Sequence, residues 1–497
     1  MLAQEWFYGL VPRTNMSQED RRMRISLHLS ENQNEVQKQI ENCADILFRP
    51  LLIGEKEKTE AFLIYIEVAV SNLMLEDSVI GKLLNRLLSM DTKELFTLEE
   101  AMAAMFAGNA VLFVDGYDRA IKIGSKGYPG SGVQKTDSEK GLRGSKEAFS
   151  ESVKMNTALI RKRIRNAKMK AEEKQVGRYS ATTTALLYLD GVVYLPICEE
   201  MRKRLDAFEV DGIEDGGMIE YLTRKKKEGR FPVYQTTERP DRAAQAILEG
   251  RVVLLTDNSP EALIFPATLN SLFQTADDYY RNERIVTFLR LIRYVAAFLA
   301  LALPGLYVAA ATFHPQLLPG NLIRSMAEAR SGVPFPTAAE VLLMELSFEL
   351  LREAGLRMPG PAGNTIGIVG GLIVGQAAVS ANLVSPITVT VAALTALGSF
   401  SIPNEELSEV FRLWKYGILL LGSCFGILGV MLGCFLLLML MAEQESYGIP
   451  WLYPYVGGNL NERADEKDSM FLAAARKRKR RPIFAKWGNR IRFRRKS

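Results

Sequence analysis

The run from Met358 to Asn404 holds 47 consecutive residues without one Asp, Glu, Lys or Arg. Two further runs follow the same rule: Gly417 to Ala442, with 26 residues, and Tyr294 to Phe313, with 20. Crossing the hydrocarbon core of a bilayer takes roughly 20 predominantly apolar residues in a helix, so each run is long enough. From Met1 to about Arg284 the chain is different, dense in charge and without a long apolar run. The expected fold is therefore two-part: tandem cytosolic α/β subdomains, then a C-terminal transmembrane domain of several helices. The pattern divides into a first subdomain over 1–125, a Gly/Ser/Lys-rich linker over 126–150 and a second subdomain over 151–284. The membrane domain follows over 285–445, with a basic cytosolic tail over 446–497.

The first residues lack a basic segment followed by a purely apolar core, so no cleavable signal peptide is expected and the soluble half should stay in the cytoplasm. The tail from Arg476 to Ser497 carries 12 Lys or Arg and no acid, which also marks a cytoplasmic segment. With both ends inside, the number of crossings is even. The spans expected are Val286 to Phe313, Gly363 to Leu383, Ile387 to Ile402 and Trp414 to Met441, with a turn at "NLVSP". Arg284, Arg290 and Arg293 are expected at the cytoplasmic headgroup level. In the soluble half "TEAFLIYIEVAV" and "TTTALLYLDGVV" each follow a basic stretch that reads as a helix, a weak internal repeat of strand signals.

Catalytic constellations are missing from the pattern. "GSKGYPGSG" has no G-K-[ST] after it, and "GNTIGIVGG" is not a dinucleotide fingerprint. Four scattered cysteines and two histidines offer little for a metal site, so neither an enzyme nor a cofactor is expected. The tail's arginines alternate with Phe484, Trp487 and Phe493. That pattern could suit nucleic acid, but a polybasic stretch just after a membrane helix favours anionic lipid. In "PFPTAAEVLLMELSFELLREAGLRMPGP" Leu342, Leu346, Leu350 and Ala354 share one helical stripe while Glu345, Glu349 and Glu353 share another. Two readings stay open for these acids and Glu340: residues of an interfacial helix, in water or paired with Arg352 and Arg357, or functional carboxylates at membrane depth. Glu345 and Glu349 are the candidates for attracting cations to a pore mouth.

Gly363, Gly367, Gly371 and Gly375 recur every four residues, a stripe that permits close helix approach in a bilayer. Beside them lie Asn364, Thr365, Gln376, Ser380 and Asn382, polar positions that could border a pore. "ERPDR" supplies Glu238, Arg239, Asp241 and Arg242, whose alternating charges suit an interdomain salt-bridge network or a subunit interface.

The blocks "TTERPDRAAQAILEGRVVLLTDNSP", "PFPTAAEVLLMELSFELLREAG", "IGIVGGLIVGQAAV" and "GIPWLYPY" closely resemble the A subunits of GerA-type spore germinant receptors. The likeness covers roughly Asn156 to Tyr455, with "IENCADILFRPLLIG" fitting more loosely. A departure is "RGSKEAF" (Arg143 to Phe149), where the family has R-G-P-R-E-G-F. The resemblance implies a multi-pass protein of the spore inner membrane that works with a transporter-like B subunit and a lipoprotein C subunit. It also implies a homo-oligomeric ring forming a nutrient-gated channel for monovalent cations, the alternative being a non-conducting adaptor.

Overall fold

The computed structural model describes residues 24–53, 58–70, 92–124, 139, 141, 143–225, 228–357, 371, 373–456 and 465–492. Two five-stranded sheets share one topology. In the first, β1 (Ile46–Ile53), β2 (Thr59–Ile66), β3 (Thr92–Leu95), β4 (Ala110–Val114) and β5 (Ala120–Ile123) lie in the order β1-β2-β4-β5-β3. In the second, β6 (Met169–Val176), β7 (Thr182–Leu189), β8 (Gln235–Thr237), β9 (Val252–Thr256) and β10 (Ala262–Phe265) lie in the order β6-β7-β9-β10-β8. Neighbouring strands are antiparallel in both. The two similar strand phrases are β2 and β7, each second in its sheet.

Each sheet buries one face under a matching pair of helices. α1 (Leu29–Ile40) and α2 (Leu98–Phe106) place Leu29, Val36, Met102 and Met105 over Phe62, Ile64 and Phe113. α3 (Val153–Arg161) and α6 (Pro240–Leu248) place Leu159, Ile160, Ala243 and Ile247 over Leu187, Val253 and Ile264. The far face of the second sheet is covered by α4 (Leu195–Asp206) and α5 (Gly216–Thr223), through Cys198, Met201 and Ile219. The halves are tied by Arg161, whose buried guanidinium holds both Asp45 carboxylate oxygens at 2.6 and 2.8 Å. Backbone bonds of 3.0 Å between Ala44 and Ala171, and between Ala171 and Asn42, continue the seam.

The second unit starts before residue 151, since the Phe149 ring is wholly buried in its core. The tail also differs from a free basic segment. Trp451 is buried with its indole N–H on the Pro232 carbonyl at 2.7 Å, and Ala485 bridges Val193. Gly250 (φ +93°) admits this strap: a side chain there would meet the Ala485 backbone at 2.7 Å. Phe484 and Arg490 are buried in the docked strap, while Trp487 stays exposed.

The helical region reverses direction at each connection. α7 (Glu283–Thr312) leaves the sheets, matching the expected first span. After α8 (Gly320–Arg330), α9 (Thr337–Arg357) returns, then residues 373–380 run outward and α10 (Pro386–Phe400) comes back. Directions follow from contacts: Tyr307 meets Thr388 while Gly398 lies 2.6 Å from the Ala296 carbonyl, measured from the position of an added Cβ. The expected turn at "NLVSP" is present, with Asn382 left-handed at φ 54°.

The last segment departs from the expected single span. α11 (Glu405–Glu443) has 39 residues, yet Gly426 is non-helical at φ 62°, ψ −142°, and the chain doubles back there. A side chain at Gly433 would reach Ile418 at 2.9 Å, one at Gly422 would reach Val430 at 2.9 Å, and one at Gly429 would overlap the Leu421 carbonyl. A straight 39-residue helix of about 58 Å could make none of these contacts. What reads as one crossing is a hairpin of two arms, its tip beside Phe313 and His314 and both feet at the sheet-bearing end. Gly305, after Pro304 of α7, lets the hairpin approach, with Ile418 O 3.1 Å from an added Cβ.

Candidate functional site: a charged seam in the bundle and its junction with the sheets

α9 is inside out relative to a helix of a water-soluble protein. Its leucine stripe faces outward, with Leu342, Leu346 and Leu350 exposed, the last by 72%. The acid stripe turns inward only toward the start of the helix: Glu345 is buried, Glu349 half-buried and Glu353 exposed. Glu340 is fully buried, accepts from the Ser385 N–H at 2.9 Å and the Thr388 hydroxyl at 3.1 Å, and pairs with Arg330 at 3.1 Å. Glu340 is thus not water-facing but paired, its arginine being Arg330. Glu345, 2% exposed at its side chain, pairs with Lys415 of the first hairpin arm at 2.6 Å. Glu349 pairs with Arg412, and Arg352 with Glu405 at 3.7 Å. Thus Glu345 is not an open carboxylate at a mouth, and Glu349 is only partly one. Removing one member of such a pair strands a buried charge, so Lys415→Met should destabilise the purified protein by roughly 3 kcal/mol, the lower end for a buried pair. Adding Glu345→Gln should recover most of that loss in a thermal melt. A double variant as unstable as the single one would show that the pair is not the unit.

The glycine stripe lies partly outside this picture. Gly363, Asn364, Thr365 and Gly367 fall outside the described residues. Gly371 and Gly375 approach Phe348 and Val389 at ordinary to tight distances, 3.5 and 3.3 Å from an added Cβ. The close helix crossings among the described residues are made instead by Gly305, Gly398, Gly422, Gly429 and Gly433. Gln376, Ser380 and Asn382 are exposed on the bundle surface.

At the sheet-bearing end a second cluster joins the two halves. Asp278 is buried and held by Arg290 at 3.0 Å and by Arg293 at 2.9 Å. Burial alone would raise the Asp278 carboxyl, but the hydrogen bonds from Arg293 and the charges of both arginines hold it below its ordinary value. Arg290 also grips Asp468 of the strap at 3.0 Å. Arg290 and Arg293 are therefore internal ties rather than headgroup contacts, while Arg284 is exposed. "ERPDR" adds to the junction. Arg239 pairs with Asp241 at 2.9 Å, Asp241 accepts from the Tyr280 hydroxyl at 3.0 Å, and Arg242 donates to the carbonyls of Ser271 and Gln274. The Glu238 carbonyl accepts from Phe149 N–H at 2.8 Å. Nothing local marks Asp468 or Lys415 as a partner, although Lys415 borders the apolar run that starts at Gly417.

The model of the Bacillus/Clostridium GerA spore germination protein family matches residues 34–484. This chain belongs to the GerA family. Among its GerA relatives, the uncharacterized membrane protein YfkQ of Bacillus subtilis (strain 168) is 36% identical over 465 residues, covering 90% of each chain. Spore germination protein KA of the same organism is 32% identical over 453 residues, covering 88% of this chain and 83% of its own. A crystal structure of the N-terminal domain of the A subunit of the Bacillus megaterium spore germinant receptor GerK3 aligns with a TM-score of 0.39 and 25% identity. It covers 50% of this chain and 97% of that one. By length and composition α7 is apolar enough to reach across a membrane, and the two arms of α11 are as apolar, which with the naming of YfkQ supports membrane association. The departing GerA loop "RGSKEAF" closes without the family's proline: Gly144 takes φ +92° against the Tyr280 ring, and Phe149 anchors the other end.

Proposed function

We propose that this GerA-family chain is the A subunit of a spore germinant receptor, seated in the spore inner membrane with its sheet-bearing half and both ends in the cytoplasm. On this reading six helical passes cross or enter the bilayer: α7, α9, the segment through 373–380, α10 and the two arms of α11. The count stays even because the hairpin adds a pass and α9 adds another. Copies of the chain assemble in a ring with a transporter-like B subunit and a lipoprotein C subunit, and nutrient binding opens a path for monovalent cations. The observation that carries the reading is a buried run of ion pairs inside a bundle whose outer wall is leucine and phenylalanine, since charges persist at such depth where function holds them.

A non-conducting adaptor is the rival. It draws support from the junction, where Asp278, Arg290 and Asp468 tie sheets, first helix and strap into one body. Reconstitution of the purified full chain in liposomes decides between them. A closed oligomer that passes potassium supports the channel; a monomer that leaves the potassium gradient intact overturns it in favour of the adaptor.

A further inference from the structure

The polar atoms of the bundle are unequally satisfied. Among the described residues of the bundle, Thr337 Oγ1, Glu345 Oε1, Arg352 Nη1, Arg412 Nε and Tyr416 Oη are buried without a hydrogen-bond partner. The last four belong to one seam, where α9 faces the first arm of α11. The Thr395 hydroxyl lies within reach of both Glu345 and the Val391 carbonyl, the latter at 2.9 Å. Polar groups at membrane depth need partners, and where protein supplies none they border water. Among the acids of the seam side-chain exposure falls from 65% at Glu405 and 59% at Glu409, through 37% at Glu349, to 2% at Glu345, while Arg352 and Arg412 lie at 16% and 15% and Lys415 at 6%. The seam is thus open at the sheet-bearing end and closed at the Glu345–Lys415 pair. At its mouth the carboxylates of Glu349, Glu405 and Glu409 face the guanidiniums of Arg352 and Arg412, an excess of negative charge that enriches cations.

We infer that this seam is a water-filled vestibule within each protomer, which collects monovalent cations from the sheet-bearing side and ends at the Glu345–Lys415 pair as its gate. The role in cation passage rests on the channel reading above; the presence of water does not. It places water inside a single chain, between α9 and the first arm of α11. Leu420, on the same arm but outward, is 67% exposed and would face lipid.

Thiol accessibility tests the vestibule independently of conduction. In the full chain carrying Cys424→Ser and Cys434→Ser, in vesicles with the sheet-bearing half outward, Tyr416→Cys is compared with Leu420→Cys. A cationic methanethiosulfonate should modify Tyr416→Cys about tenfold faster than Leu420→Cys, because thiolates form in water and not in lipid. An anionic reagent should lag the cationic one at Tyr416→Cys. Equal, slow reaction at both positions, or indifference to reagent charge, would overturn the proposal. Hydroxyl-radical footprinting of the unsubstituted chain tests the same water without a variant: Tyr416 oxidised while Phe435 is spared supports it, and both spared refutes it. A labelled seam in vesicles that pass no cations would leave the vestibule's water standing and remove its role. Cation passage with Tyr416 dry would do the reverse.

Discussion

Gly429→Ala should abolish the folded helical region, as measured by loss of the monodisperse peak of detergent-purified full-length protein and of germination in spores carrying it. The added methyl would overlap the Leu421 carbonyl oxygen, and the next atoms it meets are the Leu421 carbonyl carbon and the Gly422 nitrogen. All three are backbone, so no rotamer change relieves the overlap. Overpacking typically costs about 1–3 kcal/mol when side chains can yield, and more where they cannot. The two arms would have to part at the level where Gly305 of α7 also approaches Gly422. Gly417→Ala is the matched control. No atom lies within 4 Å of its added Cβ, and alanine has the better helix propensity, so it should leave expression unchanged or improve it. Gly371→Ala should likewise be tolerated, with only Phe348 at 3.5 Å. Equal behaviour of Gly429→Ala and Gly417→Ala would mean that α11 does not double back.

Asp278→Asn is expected to have the next largest effect, a loss of about 3–5 kcal/mol, because it leaves Arg290 and Arg293 buried beside a neutral amide. The loss should be local before it is global. Faster hydrogen exchange is expected at 274–293 and at 465–472, where Asp468 and Ser469 lean on the same Arg290. The pH dependence has a definite sign. Asp278 is held below its ordinary value in the folded protein, so its contribution is complete above the unfolded value of about 3.9 and fades as the pH falls through the folded one. The native junction should therefore stay closed at neutral pH and loosen only below about pH 4, whereas the Asn variant should be loose throughout and lack that acid transition. An acid profile shared by both proteins would assign the transition to other carboxylates.

Some of this architecture is legible in the residues and some is not. The start of the helical region is, because Tyr294 to Phe313 has no charge and α7 covers it. The strands β2, β4, β7 and β9 are legible as apolar, β-branched runs buried on both faces of their sheets. β6 is not. "MKAEEKQV" has the charge density of a surface helix, yet it is the outer strand of its sheet, with Glu172 held by Tyr188 and Arg202 and its outer edge bonded at Ala171 to Asn42 and Ala44. The hairpin in α11 left one trace, the spacing of Gly422, Gly426, Gly429 and Gly433. Window hydropathy ignores it, since a run of 26 apolar residues has the same composition whether straight or folded in two.

The seam has the same division. Two opposed stripes on one helix, leucine and glutamate, are plain in the sequence between Leu342 and Glu353. Periodicity locates both faces but carries no sign: in water the leucines turn inward, and in lipid the glutamates do. The sign was decided by partners distant in the chain, Lys415 lying 70 residues beyond Glu345 and Ser385 lying 45 beyond Glu340. Composition alone sets how much apolar surface the C-terminal half must hide in lipid, and hence that it is helical. Which stripe faces in and where the last helix reverses emerge only in the packed bundle. Both depend on which groups meet across the bundle, and no local pattern of residues carries that information.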